Sequence, residues 1–191
     1  MRGLKPWRCT IADGHLGIWA ALAEPQPTAA EQRCWNHRIV NVLDALPKKY
    51  QAEAKTMLKA MPYAETHVEC ERLRDQFSRR YRTLAPKAVE RLHHDWERLI
   101  TFYQFPKDHW RHLRTTNVVE SPFAAVRLRT SAGKRDQRVE SATARIWKVL
   151  QVTERTFRRL NAPELLAAVY AGTQYGDGVR TNRVIPQEVA A

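Results

Sequence analysis

The 191 residues suffice for one domain of ordinary size, or one with an inserted subdomain, and a hydrophobic content of 43% permits a real core. A formal charge of +12 and a pI near 10.1 point to a polyanion partner, most simply DNA or RNA; an acidic membrane surface comes second, and no segment reads as an anchor. Three widely spaced cysteines, Cys9, Cys34 and Cys70, suggest no disulfide framework and fit a reducing interior, and neither a signal peptide nor a transmembrane span is legible, so a cytoplasmic protein is the expectation.

In chain order, residues 7–13 read as a short strand ending in an acid, Asp13. Gly14 follows, and then a helix from His15 to Glu24 with Leu16, Trp19, Ala20 and Ala23 at helical steps. Side chains at such strand ends point into the crevice where open α/β sheets bind ligands, although Asp-Gly is also a common turn pair. Pro25 and Pro27 end the helix. Gln32-Arg33-Cys34 reads as a second short strand, leading into a helix with Trp35, Ile39, Val42, Leu43 and Leu46 on one face. Cys34 and His37 form a Cys-x-x-His pair, but zinc takes three or four ligands and no second pair completes the set. A packed, hydrogen-bonded histidine is the expected role, with no zinc.

From Lys48 to Tyr103 the chain reads as helical throughout. One amphipathic piece spans 52–61. A second spans 64–81, with Val68, Leu73 and Phe77 inward. A third, 83–103, carries Val89, Leu92, Trp96, Leu99 and Tyr103 as a core stripe. His67, His93 and His94 are expected to be unremarkable, the last two partly solvated. After a break at 105–106 and one short helical turn comes Thr115-Thr116-Asn117-Val118-Val119-Glu120-Ser121-Pro122-Phe123. This stretch sets Glu120 at the start of a helix among Arg111, Arg114, Arg127 and Arg129, an arrangement suited to a metal-dependent nucleic-acid enzyme. From this stretch alone capping is the simpler account: Asn117 as N-cap with Glu120 in a capping-box relation, or Ser121 as N-cap with Pro122 first in the helix.

Residues 131–135 form a basic loop containing Lys134 and Arg135. A helix from about 141 to 160 turns Ile146, Val149, Leu150, Thr153, Phe157 and Leu160 inward and Arg145, Lys148, Arg155, Arg158 and Arg159 outward. Between Arg111 and Leu160 twelve basic residues face four acids, so +8 of the +12 surplus lies there. The candidate DNA contacts are therefore Arg114, Arg127, Arg129, Lys134, Arg135, Arg145, Lys148, Arg155, Arg158 and Arg159. A last short helix ends near Tyr170, and the tail from 173 is expected to be disordered.

Taken together, five stretches resemble the C-terminal part of a bacterial mutator-type transposase. They are Ala12-Asp13-Gly14-His15-Leu16-Gly17-Ile18-Trp19-Ala20-Ala21-Leu22; Glu31-Gln32-Arg33-Cys34-Trp35-Asn36-His37; Phe102-Tyr103-x-Phe105-Pro106-x-x-His109-Trp110; Leu113-Arg114-Thr115-Thr116-Asn117-x-x-Glu120-Ser121; and Phe157-x-Arg159-Leu160-Asn161-Ala162-Pro163-Glu164-Leu165-Leu166. The resemblance runs from about residue 3 to 178. It implies a DDE transposase with a ribonuclease-H-like α/β core that holds two divalent metals, Mg²⁺ or Mn²⁺, through two aspartates and a glutamate. Asp13 falls on the second aspartate and Glu120 on the glutamate. Cys34, His37 and Asn117 fall on family signatures.

The implied fold is mostly α with a small β component: a partial ribonuclease-H-like core carrying an all-helical insertion. Residues 1–37 form a core remnant, 38–105 the helical insertion, 106–172 the C-terminal core helices and 173–191 the tail. The implied partners are double-stranded DNA at transposon ends and target, a second copy of the chain, or a full-length transposase, with no membrane; the implied location is the nucleoid of a bacterial cytoplasm. In two respects the chain departs from the family. No residue matches the first aspartate or the opening strands, and Glu24-Pro25-Gln26-Pro27 is an unusual linker. The expectation is an N-terminally truncated transposase for metal-dependent phosphodiester cleavage and strand transfer, inactive alone. The alternative is a non-catalytic DNA-binding or transposase-interacting fragment.

Overall fold

The computed structural model describes residues 6–132 and 138–184. Strand β1 (Cys9–Ala12) is followed by helix α1 (Leu16–Ala23) and strand β2 (Ala30–Arg33), which pairs parallel to β1 with Cys9 opposite Ala30 and Ala12 opposite Arg33. A parallel pair needs a crossover, and α1 supplies it. The chain then becomes helical: α2 (Trp35–Leu43), α3 (Lys48–Ala60), α4 (His67–Tyr81), α5 (Pro86–His93), α6 (Trp96–Ile100) and α7 (Trp110–Leu113), with 3-10 turns at 61–63, 101–104 and 107–109. Helices α8 (Asn117–Ala132) and α9 (Val139–Glu154) follow, then α10 (Leu166–Tyr170) and an antiparallel hairpin of β3 (Thr173–Gly176) and β4 (Val179–Val184). The fold is mostly α with a small β component, as expected. The chain divides into two compact units, Met1–Thr115 with Asn161–Ala191, and Thr116–Leu160.

The core of the first unit is aromatic and aliphatic. Trp35, Val42, Leu58, Phe77, Tyr81, Leu92, Leu99, Phe102 and Trp110 are all at or below 2% exposure. Burying each such side chain is worth about 1.5–3 kcal/mol. Trp35 meets Trp96 edge-on at 5.9 Å and Phe102 meets Trp110 at 5.2 Å. Three of the polar atoms carried inward find backbone partners: Trp35 Nε1 donates to the Leu99 carbonyl at 2.8 Å, Trp110 Nε1 to the Phe105 carbonyl at 2.9 Å, and the Tyr103 hydroxyl to the Ala64 carbonyl at 3.0 Å. Gln32, fully buried, ties β2 to this core, donating to the Leu99 carbonyl at 3.1 Å and accepting from the Phe102 amide at 2.7 Å.

Four local expectations are corrected. The segment 83–103 is not one helix. It breaks at His94 and Asp95, where Asp95 adopts φ 58°, ψ 30°. Aspartate tolerates the left-handed region better than most residues, and its carboxylate is drawn into a cluster of arginines described below. The predicted stripe is nonetheless core: Leu92, Trp96, Leu99 and Tyr103 are buried and Val89 packs partly against them. Val68, expected inward, is 62% exposed.

Helix α9 ends at Glu154, not near 160, where β-branched Val152, Thr153 and Thr156 weaken helix propensity. The Thr153 hydroxyl also turns back to the carbonyls of Val149 and Leu150. The chain then closes in tight turns, with the Thr156 amide on the Thr153 carbonyl at 2.9 Å.

Finally, residues 173–184 are not a disordered tail but a hairpin. Asp177 and Gly178 both have positive φ, 49° and 78°, as a two-residue type I′ turn requires. The hairpin is docked at its tip. The Asp177 carboxylate accepts from the His67 amide at 2.7 Å at the start of α4, the Gly178 amide donates to the Tyr103 carbonyl at 3.2 Å, and the Lys107 amide donates to the Gly178 carbonyl at 3.2 Å. Residues 185–191 lie outside the described residues.

Candidate active site

Asp13 is the first residue beyond β1, at the carboxyl end of a parallel strand, and is exposed. Its carboxylate accepts from the His15 amide at 2.9 Å, which orients it, and His15 in turn caps α1 by accepting from the Gly17 amide at 3.2 Å. Thus Asp13 makes the Asp-Gly turn read from the sequence, and it stands at the strand end. Gly14 sits at φ 95°, a backbone conformation that L side chains rarely adopt, and the Arg33 guanidinium lies over it, so that a Cβ there would fall 2.1 Å from Arg33 Cζ. The Cys34 amide extends the parallel ladder by donating to the Ala12 carbonyl at 2.8 Å. The backbone therefore brings the Asp13 and Cys34 strand ends side by side.

Cys34 is fully buried and is the residue from which α2 starts. His37, half-buried, lies in the first turn of that helix. The adjoining Trp35 amide donates to the Arg114 carbonyl at 2.9 Å, so the Cys-x-x-His turn is anchored from both sides.

Arg114 is not on an open basic face. It is half-buried, with its guanidinium carbon 5.0 Å from the ring centres of Tyr63 and Phe102 and 5.4 Å from that of Trp110. Burial, the dominant influence, pulls its pKa below the ordinary arginine value. The three rings form an aromatic box around it, a cation–π arrangement.

Glu120 belongs to the second unit, in the first turn of α8, and is exposed. Its amide donates to the Thr116 carbonyl at 3.1 Å, and the Thr116 hydroxyl donates to its carboxylate. Helix α8 begins at Asn117, which is exposed, so Ser121 and Pro122 lie in its second turn and do not start it. Of the predicted DNA contacts, Arg127, Arg129, Lys148, Arg155, Arg158 and Arg159 are exposed and Arg145 is half-buried. Lys134 and Arg135 lie outside the described residues. Only Arg145 and Lys148 are on α9 itself. Arg155 is its C-terminal cap, and Arg158 and Arg159 follow in the non-helical segment, so the five do not share one helical face.

The ion cluster around Asp95 was not read from the sequence. Its carboxylate, 13% exposed, is met by Arg33 at 2.8 Å, His94 at 2.9 Å, Arg98 at 3.2 Å and Arg38 at 3.3 Å. Burial alone would raise the Asp95 pKa, but His94 and the arginines outweigh it and hold the group below the usual carboxylate range. Burial first, and then Arg33, lower Arg38 to about 10 against the pull of Asp95. The helix break at 94–95 is what aims this carboxylate at side chains from β2 and α2, and no local pattern announces it.

Residues 1–159 match the family described as Transposase, Mutator family. The chain is 40% identical over 178 residues to the transposase for insertion sequence element IST2 of Acidithiobacillus ferrooxidans, covering 93% of this chain and 60% of that protein. It is 38% identical over 177 residues to the transposase for insertion sequence element IS6120 of Mycolicibacterium smegmatis, covering 93% of this chain and 55% of that one. Against the transposase for insertion sequence element ISRM5 of Rhizobium meliloti the identity is 32% over 133 residues, 68% of this chain and 32% of the relative. The chain thus spans little more than half the length of the two relatives it matches across 93% of its own residues. Among the described residues no helix is long and apolar enough to cross a membrane. With the Asp13 turn, the Cys-x-x-His turn and the Glu120 helix all within the matched range, the chain belongs to the Mutator family of transposases.

Proposed function

We propose that these residues form part of a DDE-type DNA transposase, with Asp13 and Glu120 as carboxylates that hold a divalent cation and the basic residues of 116–160 as contacts to duplex phosphates. The observation that carries the reading is Asp13 itself, an exposed carboxylate at the carboxyl end of a parallel strand, oriented by the His15 amide, in a chain of this family. Hard carboxylate oxygens suit Mg²⁺ or Mn²⁺ rather than zinc. Such a cation, when bound, supplies positive charge at a phosphodiester oxygen and an acidified water. The protein's own contribution is to fix the carboxylates, Asp13 through the His15 amide and Glu120 through the Thr116 hydroxyl, since about 1 Å of misplacement costs on the order of 10² in rate. On this reading the Asp13 strand and the helix carrying Glu120 belong to a ribonuclease-H-like core.

Two carboxylates of the three that the family resemblance implies lie within these 191 residues. The chain alone is therefore expected to bind Mn²⁺ weakly and not to cut element-end DNA. Mn²⁺ binding followed by electron paramagnetic resonance should weaken in both Asp13→Asn and Glu120→Gln. An unchanged titration in either variant sinks the shared role. Metal-dependent cutting by the chain alone, abolished by both substitutions, would instead show that the two carboxylates suffice or that a further copy supplies the third.

The exposed Arg127, Arg129, Lys148, Arg155, Arg158 and Arg159 favour duplex retention even without cleavage. That binding should weaken with salt, with a log–log slope of about −0.9 for each phosphate neutralised. Binding that stays flat from low to moderate salt counts against it.

A further inference from the structure

The first unit also carries a basic surface built from residues other than the candidate metal ligands and the basic residues of 116–160. An open cleft of about 510 Å³ lies between α2 and α5, lined by Arg38 and Asn41 on one side and by Lys87, Glu90, Arg91 and His94 on the other. Four of these six residues are basic and one is acidic. Lys87 and Arg91, exposed and one turn apart, line one face of α5, and the exposed His94 follows as its C-terminal cap. Asn41 is fixed beside them, its carbonyl accepting from Arg91 at 2.7 Å.

The wall behind these side chains adds to the field. Arg38 is 3% exposed and its Nε has no hydrogen-bond partner. Its remaining nitrogens go to the Arg91 carbonyl and to Asp95. That one carboxylate also serves Arg33, whose side chain is 8% exposed. Two buried guanidiniums thus share one counter-charge that Arg98 and His94 also use. Fixed cations in a low-dielectric wall project a positive potential into the cleft and raise the local concentration of anions there. A stability role accounts for the Asp95 cluster, His94 included, but not for the exposed Lys87 and Arg91 beside it.

We infer that the α2–α5 cleft is a contact for the phosphate backbone of duplex DNA, in addition to the basic residues of 116–160. The inference rests on the DNA reading of the preceding subsection. Such a contact positions the duplex without reading its sequence.

The test uses the 191-residue chain and a fluorescent 20-base-pair duplex of arbitrary sequence, with anisotropy measured across a salt series. Lys87→Gln combined with Arg91→Gln should weaken binding on all sequences alike and make the log–log salt slope shallower by about 1.8, two phosphates at about 0.9 each. Glu90→Gln, which removes the acid from the cleft, should tighten binding, a gain that a merely structural role does not produce. Because Arg91 also bonds Asn41, the single variant Lys87→Gln provides a second reading, with the slope shallower by about 0.9; Lys87→Arg should restore it. If wild type binds and Arg158→Gln with Arg159→Gln weakens it, while the Lys87, Arg91 and Glu90 variants leave affinity and slope unchanged, the cleft inference falls and the DNA reading stands. If wild type does not bind the duplex, both fall.

Discussion

Asp95→Asn isolates the energetic role of the ion cluster. Asparagine tolerates the left-handed backbone at this position as well as aspartate does, so the substitution removes charge while leaving the φ of 58° unstrained. It leaves Arg33 and Arg38, with side chains 8% and 3% exposed, buried around a neutral amide. Breaking a buried pair by removing one charge typically costs about 3–5 kcal/mol. The lower end, about 3 kcal/mol, is expected because asparagine still accepts one hydrogen bond. For a chain of this size that lowers Tm by roughly 6–12 °C, at about 2–4 °C per kcal/mol. Thermal unfolding followed by circular dichroism at pH 7 measures it, with Glu69→Gln at the exposed Arg72 pair as a control expected to change nothing. The pH dependence follows from the sign. The folded-state pKa of Asp95 is depressed, so its contribution is complete above the unfolded value and is lost as pH falls through the folded one. The gap between wild type and Asp95→Asn should be constant from pH 7 down to about 4–5 and close below that, given an unfolded aspartate pKa near 3.9. A Tm change under about 2 °C at pH 7, or a gap that widens in acid, would refute the reasoning.

Gly178→Ala should free the hairpin from its dock, because a Cβ at φ 78° would lie 2.6 Å from Lys107 Cβ and 2.9 Å from its backbone. The cost is about 1–3 kcal/mol, read as faster amide exchange across 173–184. Trp110→Ala empties the centre of the aromatic cluster and removes a ring facing Arg114, at a cost of about 3–5 kcal/mol in urea unfolding. Cys70, its thiol pushed up to about 12 mainly by burial, should resist iodoacetamide at pH 8 in the folded chain and react at an ordinary rate in urea. Equal labelling rates in the two states would contradict that assignment.

Much of the fold was legible in local pattern. Helical spacing located α1, α2 and α4 and the core stripe of Leu92, Trp96, Leu99 and Tyr103, because burial on one face imposes a period that survives in composition. The strand end at Asp13 and the order of motifs around Glu120 were legible for the same reason: each is a short run whose chemistry and turn residues are contiguous. The hairpin at 173–184 was legible too and was missed. Asp177-Gly178 between Tyr175 and Val179 is a strong hairpin signal, and low hydrophobicity nearby concealed it.

Other features belong to tertiary structure alone. The apolar stripe of 89–103 runs unbroken across the kink at Asp95, since a period counts residues and not dihedral angles. Beside its neighbours His94 and Arg98, the carboxylate meets Arg38 and Arg33, partners 57 and 62 residues away in sequence that no local pattern announces. Arg114 counts as one more cation in a basic stretch until Tyr63, Phe102 and Trp110 close around it. The cleft of Arg38, Lys87, Arg91 and His94 exists only because α2 and α5 pack together. Charge can be summed along a chain, but where it faces water or rings is decided by which distant elements share a core.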